Sequence, residues 1–251
     1  MSLKKNIIKI YKTIIYKFKP KTNLDNKKIN LSSLNELFNH FGTDKGTKVI
    51  NPYYKGAKDI IGHGYAKFYE EHLKYYKDKD LSLLEIGTWK GGSAASFFYY
   101  LKKARIFCLD INFKFEFSAK RIEFFNCNTN LNKDIKKLDK FLIKKQCKNF
   151  DIIIDDGSHL ADDIIESFQK LYPKLNKDGI YVIEDLKTCN NISYIKSHFK
   201  FKNRKYSDNL DKFIEMNSRD RIEKFYEQLK DNKIKHCIEI TGNSEICFIY
   251  K

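Results

Sequence analysis

The chain predicts an α/β fold: a doubly wound, mostly parallel sheet that ends in an antiparallel hairpin. Three observations carry this. From residue 81 onward, short apolar runs alternate with stretches at helical spacing, the pattern of strands joined by crossover helices. The three consecutive isoleucines of "FDIIIDD" (150–156) and the apolar run of "GIYVIED" (179–185) lead straight into acids, which places them in a sheet covered on both faces. The alternation stops at "HCIEITGNSEICFIYK" (236–251), where two β-rich runs flank Gly-Asn, a hairpin signal.

The elements follow in order. In residues 1–20, Ile7, Ile8, Tyr11, Ile14, Ile15 and Phe18 fall at helical spacing with lysines on the other face, and Pro20 ends the run. Such a basic amphipathic helix needs a surface to cover. That surface is its own domain, a second subunit of a homo-oligomer, or the periphery of an anionic membrane. Residues 21–80 form a helical N-terminal segment. Ser32 or Ser33 caps a helix carrying Leu34, Leu37 and Phe38, Gly42 and Gly46 bracket a loop, and "HGYAKFYEEHLKYY" turns Phe68, Tyr69, Leu73 and Tyr76 inward. Residues 81–251 are the sheet domain. Its strands are "LSLLEIG", "RIFCLDI", "IEFFN", "FDIIIDD" and "GIYVIED", separated by helices at "GSAASFFYYLKK", "DIKKLDKFLIKK" and "DDIIESFQKLYPKL". Residues 189–235, rich in Lys, Asn and aromatics, interrupt the pattern as an insertion.

Composition narrows the function. At 251 residues the chain is long enough to bury one sizeable core. Its net charge of +16 invites a nucleic-acid reading, but 43 of the 48 basic residues are lysine and five are arginine. Groove and phosphate recognition leans on arginine forks, so nucleic acid is not the expected partner. Six cysteines, mostly in apolar runs and without a CxxC pair, suit reduced thiols in a cytoplasmic protein rather than disulfides or zinc. No apolar run approaches the ~20 residues that span a bilayer.

Chemistry gathers at the strand ends, where ligands bind in open parallel sheets. The first strand runs into "EIGTWKGGSAAS" (85–96), whose Gly87, Gly91 and Gly92 permit a tight turn and close ligand approach. A dinucleotide fingerprint would place glycines at 87, 89 and 92; position 89 is Trp, so the dehydrogenase reading fails at its middle glycine. The second strand ends in Asp110, where an acid binds ribose hydroxyls. Glu85, the glycine turn and Asp110 together point to an adenosine-type ligand. The fourth strand ends in Asp155 and Asp156 and the fifth in Glu184 and Asp185. Carboxylates converging on one rim repel unless a cation neutralises them, and an oxygen-rich set suits a hard divalent ion, Mg²⁺ foremost. His159, three residues beyond Asp156, is the side-chain type suited to a general base. The competing reading has one Asp capping the next helix and His159 on the surface.

These motifs carry a resemblance. "LLEIGTWKGGSAA", "IFCLDI", "IDDGSH" and "GIYVIEDLKT", with "FGTDKG" and "HGYAKFYE" upstream, resemble the S-adenosylmethionine-dependent, Mg-dependent sugar O-methyltransferases of macrolides and tetracenomycins. That family has a cephalosporin-hydroxylase-like branch, and the likeness spans residues 41–188. It implies a Rossmann-like class I methyltransferase sheet that uses S-adenosyl-L-methionine and Mg²⁺. By that resemblance Glu85 and Gly87, with Thr88, Gly91, Ser93, Ile111 and Asp155, belong to the cofactor-binding set, and Asp110 holds the ribose. Asp156, Glu184 and Asp185 are the implied metal ligands, and Asp156 and His159 the catalytic pair with His159 as base. Thr43, Lys45, His63 and Tyr65 match the segment that closes over cofactor and substrate. One departure is Cys127-Asn128-Thr129, where the family has Gly-Asp-Gln; Asn128 still offers a carbonyl to an adenine amino group.

The implied reaction is methyl transfer to a hydroxyl of a small-molecule sugar. The lysine excess adds a finer expectation, a nucleotide-linked sugar such as a heptose for a bacterial surface polysaccharide or capsule, with residues 189–235 covering it. Two alternatives stand beside it: O-methylation of a non-sugar molecule, and a non-catalytic protein of the same fold. No separate two-His-one-carboxylate pattern supports an iron oxygenase.

Overall fold

The computed structural model describes residues 19–49, 60–112, 114–206 and 209–251, so all but the last two residues of the amphipathic helix expected over 1–20 lie outside the described residues. The chain divides into two compact units, one up to Asn128 and one from Thr129.

In the first unit, α1 (Leu34–Phe41) starts at Ser33. The Ser33 hydroxyl accepts the Glu36 N–H and the Glu36 carboxylate accepts the Ser33 N–H, both at 3.2 Å. This reciprocal capping box selects Ser33 over Ser32 as the cap. Gly42, at φ +70, ends the helix in the left-handed conformation, which glycine adopts without a Cβ penalty, and Thr43 follows directly. Next come α2 (Ala66–Leu73), β1 (Ser82–Ile86), α3 (Gly92–Tyr100), β2 (Arg105–Asp110) and β3 (Ile122–Asn126). The three strands pair in parallel in the order β1–β2–β3. Phe38, Tyr69 and Phe97 meet edge to face with centroids 5.4–6.1 Å apart, an arrangement favoured by the ring quadrupoles. Of the aromatics expected to point inward from the two N-terminal helices, Phe38 and Tyr69 are core residues against α3 and Phe68 is buried, while Tyr76, beyond the end of α2, is only half-buried.

The second unit contains α4 (Asn132–Lys144), β4 (Phe150–Asp155), α5 (Ala161–Leu171), β5 (Leu175–Ile183), α6 (Ile192–Tyr206), α7 (Leu210–Asn217), α8 (Arg219–Asp231), β6 (His236–Ile240) and β7 (Glu245–Tyr250). Ile152, Ile153 and Ile154 are all fully buried, as a strand covered on both faces requires. β4 and β5 run parallel, and β7 lies antiparallel between β5 and β6. The hairpin thus returns along β5. The seven strands are those of a mostly parallel sheet, the fold class the sequence predicts. Within 189–235 the described residues form the helices α6, α7 and α8, and Ile195 and Phe213 close on Leu160 in a small core of their own.

All six cysteines are free thiols, five of them buried. No described helix is long and apolar enough to cross a membrane.

Candidate functional site

In the first unit the end of β1 turns sharply. Gly87 (φ +82), Trp89 (φ +46) and Gly91 (φ +87) all occupy the left-handed region. At Gly91 a Cβ would stand 2.4 Å from the Phe115 ring, so only glycine fits. Trp89 takes the backbone conformation that a middle glycine would have, and its N–H donates to Asp110 Oδ2 at 2.8 Å. The Asn112 N–H donates to Asp110 Oδ1 at 2.6 Å. Both oxygens are therefore oriented by backbone, and each keeps a lone pair for a ligand. Burial pushes the Asp110 carboxyl above its ordinary value, against these two donors. Thr88, Trp89, Asp110, Asn112, Phe115, Phe124 and Asn126 line a cleft at this point.

The other expected cofactor residues surround this turn in different ways. Glu85 is fully buried at the end of β1 and Ser93 is buried in α3. The Thr88 hydroxyl donates to the Glu85 carbonyl at 3.3 Å, while Ile111 is exposed beyond Asp110. Asn126 is in the cleft wall, and Asn128 is half-buried two residues later. Thr43 lies against the start of α3, since a Cβ on Gly92 would meet the Phe41 carbonyl at 2.7 Å and the Thr43 side chain at 3.6 Å. Lys45 and Tyr65 are both buried, and the Tyr65 N–H donates to the Lys45 carbonyl at 2.9 Å. His63 stacks on Tyr65 and places Nε2 3.6 Å from Asp44 Oδ2.

The second unit builds an acidic rim. Donor atoms of Asp156, His159 and Asp185 all lie within 4.8 Å of one another. His159 Nε2 is 3.9 Å from Asp156 Oδ1 and 3.8 Å from Asp185 Oδ2. His159 (φ +52) and Asp185 (φ +58) both hold the left-handed backbone that non-glycine residues rarely adopt. Two further contacts fix the turn before the histidine: Tyr194 Oη donates to the Ser158 carbonyl at 2.9 Å, and the Gly157 N–H donates to Asp155 Oδ1 at 3.2 Å. Glu184 is buried and keeps strand register through its N–H to the Asp155 carbonyl at 3.0 Å. Glu184, the other expected metal ligand, is the residue just before Asp185 and lies beyond the end of β5 at Ile183. Carboxylates at this spacing fit a small divalent cation of the Mg²⁺ class, whose preferred donor is oxygen, and leave the imidazole nitrogen beside them as a proton acceptor.

Asp155 is placed differently from the other acids. It is buried, with its Oδ2 3.5 Å from the Tyr181 hydroxyl, so the contacts it shows hold the turn. Burial raises its carboxyl to about 7, and the neighbouring charges of Asp156 and Asp163 add to the rise. The folded state therefore keeps a proton that the unfolded chain releases near 3.8. The stability this supplies is complete below pH 4 and is lost as pH climbs through 7, on the order of 4 kcal/mol. Asp155→Asn removes the titration while retaining an acceptor for Gly157. In EDTA the variant is expected to melt above wild type at pH 8 and together with it at pH 4. Parallel melting curves across that range would dismiss a buried titrating Asp155.

Sequence reasoning missed Trp89, Asn112, Asn126 and Tyr194. Only Asn112 had a local signal, the Asp-x-Asn spacing of an Asx turn.

Comparison with known proteins covers this same stretch. Residues 84–186 match a methyltransferase domain. That match runs from β1 to just past β5 and contains Glu85, Asp110, Asp156, His159 and Asp185. Among curated relatives, mycinamicin VI 2''-O-methyltransferase of Micromonospora griseorubida is 33% identical over 134 residues, 51% of this chain and 32% of that protein. Demethylmacrocin O-methyltransferase of Streptomyces fradiae is 32% identical over 134 residues, 51% of this chain and 33% of that protein. The chain spans about a third of the length of these relatives. Among solved structures, the MycE methyltransferase of the mycinamycin biosynthetic pathway, in complex with Mg and SAH, superposes with a TM-score of 0.60 at 22% identity. The match covers 87% of this chain and 54% of that one. The fold of the methyltransferase domain is thereby shown.

Proposed function

We propose that the chain is an S-adenosylmethionine-dependent O-methyltransferase that methylates a sugar hydroxyl with the help of Mg²⁺. The observation that carries this is the meeting of Asp156, His159 and Asp185 at the strand ends of a chain whose residues 84–186 match a methyltransferase domain. A further relative, 8-demethyl-8-alpha-L-rhamnosyl tetracenomycin-C 2'-O-methyltransferase of Streptomyces olivaceus, 29% identical over 133 residues, carries a sugar in its name and supports the acceptor class. The finer reading, a nucleotide-linked sugar or a heptose of a surface polysaccharide, rests on the net charge of +16, which suits a diphosphate-bearing acceptor. We further assign residues 189–235 to covering that acceptor and Asn128 to the adenine.

S-Adenosylmethionine supplies an activated methyl group, and Mg²⁺ supplies a positive charge that lowers the pKa of an alcohol beside it. The chain does the rest. Asp110, held by the Trp89 and Asn112 N–H groups, binds the ribose hydroxyls. Asp156, Glu184 and Asp185 would hold the cation. His159 Nε2 would take the proton of the sugar hydroxyl as its oxygen bonds to the methyl carbon and the sulfur–methyl bond breaks, releasing S-adenosylhomocysteine. Orientation dominates the rate, because the methyl group is already activated.

The test is mass spectrometry of candidate sugars and nucleotide sugars incubated with the protein, S-adenosylmethionine and Mg²⁺. One product heavier by a methylene is expected. No such product from any hydroxylated acceptor sinks the reading. The donor side has its own check: Asp110→Ala should weaken S-adenosylhomocysteine binding in calorimetry by roughly 1–3 kcal/mol, the worth of charge-assisted hydrogen bonds. Unchanged affinity would remove Asp110 from the site.

A further inference from the structure

We propose that Ser244, in the turn of the C-terminal hairpin, is a positioning residue that orients Asp185 toward a divalent cation. This rests on the metal reading above. β7 pairs antiparallel with β5 and sets Cys247 opposite Ile183, so the hairpin turn arrives beside the residues that follow β5. There Ser244, itself buried, donates its hydroxyl hydrogen to Asp185 Oδ1 at 2.8 Å. The other oxygen, Oδ2, faces His159 Nε2. One oxygen of the aspartate is tied to the hairpin, and the other is presented to the rim.

The serine is fixed on both sides. Its N–H donates to Thr241 Oγ1 at 2.9 Å and its carbonyl accepts the Thr241 N–H at 2.9 Å. Lys187 Nζ donates to the Thr241 carbonyl at 2.8 Å, which ties the turn to the segment just after Asp185. On the other side Glu245, buried at the start of β7, accepts two hydrogen bonds from Arg219 at 2.8 and 2.9 Å and one from Tyr226 at 3.0 Å. A hydroxyl held this rigidly selects one rotamer of its partner. Asp185 needs that restraint, since it stands on a left-handed backbone at the end of a strand, a conformation that persists only where its surroundings enforce it. Hydrogen-bonded carboxylate ligands lose affinity for their metal when the outer partner is removed, typically by 10–100-fold.

The experiment is Mn²⁺ binding to the full chain, followed by electron paramagnetic resonance and competed with Mg²⁺, without methyl donor or acceptor. Ser244→Ala should raise the Mn²⁺ Kd ~10–100-fold while the metal-free protein melts cooperatively, near wild type. Ser244→Thr, which keeps the hydroxyl, should bind close to wild type. Asn243→Ala, at the exposed tip of the same turn, should leave Kd unchanged. Wild-type affinity in Ser244→Ala, or an equal loss in Asn243→Ala, overturns the positioning role alone. Failure of the wild-type chain to bind Mn²⁺ overturns the metal reading and this inference together.

Discussion

Replacing His159 with alanine is expected to lower kcat by ~10²–10⁴, the usual worth of a positioned general base, while Mn²⁺ affinity stays near wild type. The distances set up this difference. Nε2 stands 3.9 and 3.8 Å from the two nearest carboxylate oxygens, longer than a hydrogen bond, so neither carboxylate captures the ring nitrogen. The ring rides on a backbone that is fixed from outside, by Tyr194 on the Ser158 carbonyl and by the Cys189 thiol 3.6 Å from the His159 carbonyl. The mutation therefore removes a proton acceptor without releasing the loop. The measurement pairs single-turnover methylation of the acceptor found by mass spectrometry with Mn²⁺ binding. A kcat near wild type would move the base elsewhere. Equal losses in kcat and metal affinity would make His159 a ligand.

Much of this was legible in the sequence because acids at the ends of apolar runs are local facts. β4 announces itself by three consecutive isoleucines, and Asp156 and His159 follow within its next few residues. The same reading fails where function passes through the backbone or through register. Trp89 argues against a glycine fingerprint by its identity, yet its N–H and its left-handed φ serve Asp110 as a glycine would. Ser244 lies 59 residues from Asp185, and nothing local in either stretch reveals the register of β7 on β5. The left-handed turn at Asp185 likewise has no sequence signal. The helices of 189–235 went unresolved because lysine and asparagine dilute their apolar spacing, and their small core is completed by Leu160, from the start of α5.

Removing the divalent ion is the second large effect. EDTA should abolish methyl transfer and Mg²⁺ should restore it. Asp156→Asn separates this from a general loss of fold, because its two consequences have opposite signs. Asp156 and Asp185 bring donor atoms within 4.8 Å, and both side chains are mostly buried, 20% and 13% exposed. Two like charges at that separation repel by on the order of 3 kcal/mol at the effective dielectric of a protein site. Without metal the asparagine relieves part of that repulsion, so the variant should melt at or above the wild-type temperature. With Mg²⁺ present the order should reverse, because ligand binding stabilises the folded state in proportion to affinity and the variant has lost one charge from the donor set. The concentration of Mg²⁺ needed for half-maximal activity should rise in parallel. A variant that melts below wild type both with and without Mg²⁺ would show that Asp156 serves structure alone, and full activity in EDTA would show that the acidic rim holds no catalytic ion.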